Sequence, residues 1–127
     1  MTGKALQAAF TLIELLVVML IIGTLLSLAV PRYFHTLERA RETVLKHDLS
    51  VLREAIDKHY ADLNEYPETL AVLVEKRYVR EIPIDPFTKL TDTWTLIPSE
   101  DPDHEGIRDI HSGSENMAMD GTAVSSW

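Results

Sequence analysis

Glu14 is the one charged residue in an apolar run of twenty-one, Phe10 to Val30, which reads FTLIELLVVMLIIGTLLSLAV. A carboxylate inside hydrocarbon costs about 2.5–3.5 kcal/mol on insertion scales, so its presence calls for a partner and a role. A second set of residues has oxygen chemistry instead. Ser112, Ser114, Glu115, Asn116 and Asp120 supply oxygens near the end of the chain, with Gly113 and Gly121 adding backbone freedom. Calcium takes about six to eight such oxygens on a loop that can curl around it. A polar turn held by side-chain to backbone hydrogen bonds uses the same residue types, and the spacing is not that of an EF-hand, so the residues alone leave both readings open.

Catalysis finds no footing. The sequence has no glycine-rich phosphate cradle and no Ser-His-Asp neighbourhood, and Asp101 and Asp103 belong to an exposed acidic turn rather than to a paired-carboxylate site. Its five histidines include no pair four residues apart that would mark a transition-metal site, His111 included. With no cysteine, thiolate chemistry, disulfides and thiolate-ligated metals are also removed. The 127 residues, 46% of them hydrophobic, suffice for one modest domain rather than a multidomain enzyme. Twelve Lys and Arg against twenty Asp and Glu give a net charge of −8, the opposite of the basic face that grips phosphates, so no nucleic-acid partner is expected. All of that excess lies in residues 81–127, where ten acids face only Lys89 and Arg108.

The elements that must position these groups follow from hydropathy and spacing. At about 1.5 Å per residue the apolar run spans roughly the 30 Å of a bilayer core, and a membrane-embedded helix is its direct reading. A secretory signal peptide with Lys4 at its start and Ser27 and Ala29 before a cleavage site is the bland alternative, but the run exceeds the usual length of about 7–15 residues. A plain anchor leaves Glu14 unexplained. Pro31 is expected to kink the helix rather than stop it. Beyond it, Leu45, Leu49, Leu52, Ile56, Tyr60 and Leu63 form one apolar stripe facing a small core, while Glu38, Arg39, Arg41, Glu42, Lys46, Arg53, Glu54, Asp57 and Lys58 read as a solvated face. Asn64 offers a C-terminal cap, and Tyr66-Pro67-Glu68-Thr69 opens a second, shorter helix packed through Leu70, Leu73 and Val74. Ile82 to Thr88, with two prolines, must be an ordered loop. Trp94 with Leu96, and Ile107 to His111, favour strands, and Pro98 to Gly106 a turn between them. The expected fold is α+β: a long N-terminal helix, half membrane-embedded, packed on a small C-terminal antiparallel sheet.

The stretch Ala9-Phe10-Thr11-Leu12-Ile13-Glu14-Leu15-Leu16-Val17-Val18 closely resembles the N-terminal motif of type IV pilins and of type II secretion pseudopilins. That resemblance implies three parts: a leader over 1–9, a transmembrane and assembly helix over 10–31, and a globular domain over 32–127. In the family a membrane-bound prepilin peptidase cuts after a glycine and the new terminal phenylalanine is N-methylated, which places processing at Ala9 and Phe10; alanine here stands where glycine is usual. The α-amine created at Phe10 is cationic at neutral pH, and Glu14 lies one helical turn away. In a staggered bundle Glu14 of one subunit meets the amine of the next, so Phe10 and Glu14 are the expected assembly residues.

Later motifs narrow the resemblance. Asp85-Pro86-Phe87-Thr88 is similar to the Asp-Pro-aromatic-Gly motif of major pseudopilins, with Thr88 in place of glycine. The tail from Asp109 to Gly121 is similar to their calcium loop, which implies Ser112, Glu115 and Asp120 as calcium ligands. Type IV pilins usually close this region with a disulfide, which a chain without cysteine cannot form. The function implied is a structural subunit of a type II secretion pseudopilus: a homo-oligomeric helical filament with minor pseudopilins, an inner-membrane assembly platform, and lipid around the helix before assembly. The implied location is the inner membrane, single-pass, with the C-terminal domain in the periplasm. An extracellular pilus-like filament serving adhesion, motility, DNA uptake or, through Phe10, Tyr33 and Phe34, electron transfer is the alternative.

Overall fold

A computed structural model describes residues 9–127, so the expected leader lies outside the described residues except for Ala9. One helix dominates. α1 spans Leu12–Leu63, 52 residues, and runs through Pro31 without ending there. The chain divides into two compact units, one reaching to Leu37 and the other covering Glu38–Trp127.

Among the described residues of the first unit every large apolar side chain is exposed, from Phe10 at 79% to Leu37 at 37%. Its most apolar eighteen residues have a mean hydropathy of 2.6, and none is buried. A helix apolar on all faces is soluble only in lipid or among its own kind. The two hydroxyls of this stretch are already satisfied within the helix: Thr24 donates to the Leu20 carbonyl and Ser27 to the Gly23 carbonyl, both at 2.8 Å. Hydrocarbon therefore meets no orphaned hydroxyl there.

In the second unit α1 buries Leu45, Leu49, Leu52, Ala55, Ile56 and His59. The expected stripe holds as far as Ile56. Past it Tyr60 is half-buried and Leu63 is 42% exposed, because the chain leaves the helix at Asn64, whose φ of 56° and bond to the Tyr60 carbonyl make the anticipated left-handed cap. The second helix is shorter than expected. α2 is Leu70–Glu75, starting after an extended Thr69. Pro67 does not open it: Pro67 is buried, and its carbonyl accepts the Ile107 N–H at 2.8 Å, which ties this segment to the sheet instead.

β1, Thr95–Pro98, pairs antiparallel with β2, Ile107–His111, in the register Thr95 with His111 and Leu96 with Ile110. The register shifts between Ile97 and Pro98, where proline has no N–H for the ladder. β2 points Ile107 and Ile110 into the core, and Trp94, just ahead of β1, is buried there with its indole N–H on the Pro83 carbonyl at 3.0 Å. Gly106, with φ of 127°, closes the β1–β2 turn so tightly on the Tyr66 backbone that any Cβ would lie 2.7 Å from its carbonyl oxygen.

Candidate functional site

The start of α1 is built from two side chains. Thr11 Oγ1 accepts the Glu14 N–H at 3.1 Å, and Glu14 Oε2 accepts the Thr11 N–H at 3.3 Å. This is a reciprocal capping box, in which a hydroxyl and a carboxylate each satisfy an amide that the helix leaves unpaired. The anion also sits at the positive end of the helix dipole. Thr11 is missing from the sequence-based assignment of Glu14, although Thr-x-x-Glu ahead of an apolar run is the sequence sign of such a box. Ala9 and Phe10 precede the first turn and are exposed. The arrangement presents one carboxylate, held by its own backbone, at the very end of an apolar helix.

In the second unit the Asp-Pro-Phe-Thr motif is a structural hub. Asp85 is fully buried; its Oδ1 accepts the Phe87 N–H at 2.9 Å and the Thr88 N–H at 3.4 Å, and its Oδ2 accepts the Ser112 hydroxyl at 2.5 Å. Thr88 fits in place of glycine because the left-handed position falls on Lys89, φ 62°, leaving the Thr88 hydroxyl to pair with that of Thr93 at 2.6 Å. From Ser112 the bonds run onward: its Oγ accepts the Ser114 N–H at 3.2 Å, and Ser114 Oγ accepts the Asn116 N–H at 3.1 Å. Asp48 on α1 feels this hub. Burial raises its carboxyl above the ordinary range, His47 works against that, and Asp85 adds to it.

Two of the three residues implied as calcium ligands are committed to different partners. Ser112 is buried on Asp85. Asp120 Oδ1 accepts the Thr122 N–H at 2.9 Å and the Thr122 hydroxyl at 2.6 Å, bonds that hold its carboxyl below the usual range. Glu115 is exposed. Among the described residues no three Asp, Glu, His or Cys side chains are grouped to hold a metal.

Three residues of the face read as solvated turn out to hold the tail. Arg53 Nε donates to Asp109 Oδ1 at 2.8 Å, and its Nη2 donates to the carbonyl oxygens of Ile110 at 2.9 Å and Trp127 at 2.5 Å. Lys46 Nζ lies 4.6 Å from the centre of the Trp127 ring, and Glu42 Oε1 accepts the Met119 N–H at 2.6 Å. Burial alone would raise the Asp109 carboxyl, yet the Ile110 N–H and the Arg53 guanidinium together bring it below the ordinary range. No local signal marks these roles, since every partner is distant in sequence. Glu54 with Lys58 is a plain surface pair, as the four-residue spacing suggests, at 3.1 Å.

Residues 4–30 match the family model described as the prokaryotic N-terminal methylation motif. Over 95% of this chain, and 85% of its own length, the type II secretion system core protein G of Pectobacterium carotovorum subsp. carotovorum is 33% identical. The chain belongs to the type II secretion system core protein G family. The core protein G of Escherichia coli K12 is 34% identical over 89% of this chain and 85% of its own, and that of Klebsiella pneumoniae 31% identical over 95% and 94%. No solved structure matches at a significant level. For a core protein G chain, the methylation motif and the exposed apolar helix are two views of one element, an N-terminal segment suited to a membrane.

Proposed function

We propose that this chain is a structural, non-catalytic subunit of a type II secretion pseudopilus. The observation that carries the reading is α1's first unit: an apolar helix with no buried face, headed by the Thr11–Glu14 capping box. Such a helix rests in the inner membrane as a single span, with the Glu38–Trp127 unit in the periplasm. Prepilin peptidase removes the leader after Ala9, and the amine of Phe10, methylated, becomes the terminal cation. On leaving the membrane the helix exchanges lipid for the helices of other copies, minor pseudopilins and the assembly platform guiding the order of addition. Axial stagger then brings Glu14 of one subunit to the Phe10 amine of its neighbour. Misregistered subunits leave both charges buried and unpaired, and removal of one partner of a buried pair costs about 3–5 kcal/mol.

The test separates insertion from assembly. Glu14→Leu removes the carboxylate from hydrocarbon, so membrane insertion holds or improves. The capping box and the intersubunit pair are both lost. We expect the variant in the membrane fraction at wild-type level and absent from sheared filaments. Filaments at normal yield would refute the role of Glu14 in register.

A further inference from the structure

We propose that segment 109–127 is shut by α1 itself, through Glu42, Lys46 and Arg53, and that its order does not depend on a divalent cation. These three residues follow one another at intervals of four and seven, which places them on one face of a helix. Each grips a different point of the segment. Glu42 takes the Met119 amide, Lys46 lies over the Trp127 ring, and Arg53 reaches Asp109, the Ile110 carbonyl and the Trp127 carbonyl. His111 Nδ1 adds a second donor to that Trp127 carbonyl at 2.8 Å.

The segment is also tied to itself. Ala118 N–H bonds the Thr122 carbonyl at 2.7 Å, Val124 N–H the Asn116 carbonyl at 3.0 Å, and the Trp127 indole N–H the Thr122 hydroxyl at 2.9 Å. Val124, fully buried, pins the last turn into the core cluster with Leu45 and Leu49. An ion that organises a loop does so by gathering carbonyls and carboxylates that otherwise repel. Here the guanidinium of Arg53 gathers two carbonyls and a carboxylate, and the ammonium of Lys46 lies over the Trp127 ring. Fixed cations of the chain thereby fill the office of a bound one. This rests on the structure of the Glu38–Trp127 unit and not on the role of the chain in secretion.

Hydrogen–deuterium exchange on the full-length protein in detergent micelles tests it, with the amides of residues 109–127 as readout. Wild type should show the same protection in millimolar calcium and in chelator. Arg53→Ala should speed exchange in this segment by about tenfold or more, as expected for loss of hydrogen bonds from a charged group, while the amides of Leu45 to Ile56 keep theirs. Should Arg53→Ala loosen the whole unit, Lys46→Met and Glu42→Ala, both nearer the surface, must each still raise exchange in this segment alone. Protection in wild type that appears with calcium and vanishes with chelator would overturn the proposal. So would unchanged exchange in the variants.

Discussion

Asp85→Ala removes the acceptor at the centre of the C-terminal unit, and the structure sets the size of the effect. Asp85 is buried and takes three donors, the Phe87 and Thr88 amides and the Ser112 hydroxyl. The Thr88 contact, at 3.4 Å, is long enough to discount, which leaves two bonds to count. A buried donor stripped of its partner costs about 1–3 kcal/mol, so two give roughly 2–6 kcal/mol. In a unit of this size each 1 kcal/mol moves Tm by about 4–8 °C, and the central expectation is a fall of roughly 15–30 °C. Asp85→Asn keeps one acceptor oxygen for Phe87, and the Ser112 hydroxyl can turn to accept from the new amide; its cost should stay near 1 kcal/mol. Thermal unfolding of the full-length protein in detergent, followed by the near-ultraviolet signal of Trp94 and Trp127, reads both. An alanine variant within a few degrees of wild type, or an asparagine variant as damaged as the alanine one, would refute the reasoning.

Further outcomes follow from the same geometry. Because burial raises the Asp48 carboxyl, its folded state binds a proton more tightly than the unfolded chain, so ionisation weakens folding as pH rises through the ordinary aspartate range. Asp48→Asn should therefore stabilise the unit at neutral pH, with the gain vanishing below that range, as denaturant midpoints at several pH values would show. Asp109 has the opposite sign: its carboxyl is lowered, so its contribution is present above the ordinary range and is lost on acidification through its depressed value. Leu49→Ala, at a site only 2% exposed, should destabilise by about 2–5 kcal/mol, whereas Leu16→Ala, 60% exposed, should leave the unfolding midpoint of the C-terminal unit unchanged. Gly113→Ala should destabilise by about 1–3 kcal/mol, since the added Cβ would collide with the Thr93 carbonyl, a backbone atom that cannot swing aside.

What could be read in the sequence was whatever depends on near neighbours. The apolar run, the Leu45 to Ile56 stripe, the Asn64 cap and the β2 segment are each written in spacing within a few residues, and all four appear. Where the pattern misled, a distant partner decided. Pro67 looks like a helix opener by local rules, but its carbonyl is held by Ile107. Arg53, Lys46 and Glu42 look like a solvated face because nothing within one turn of them predicts Asp109, Trp127 or Met119 as partners. His59 looks polar, yet it is 1% exposed, with Nδ1–H donating to the Glu65 carbonyl at 2.7 Å. Thr11 is the exception: its partner is three residues away and the capping-box spacing carries the signal, yet the reading of Glu14 as an intersubunit residue passes over it.

The central claim is that this chain becomes a filament subunit through its N-terminal helix, and the mass of the subunit recovered from sheared filaments tests it most directly. The account expects a single species beginning at Phe10 and carrying one methyl group. A subunit that retains residues 1–9, one cut after Ala29, or a chain found only in the membrane and never in the filament fraction would contradict it.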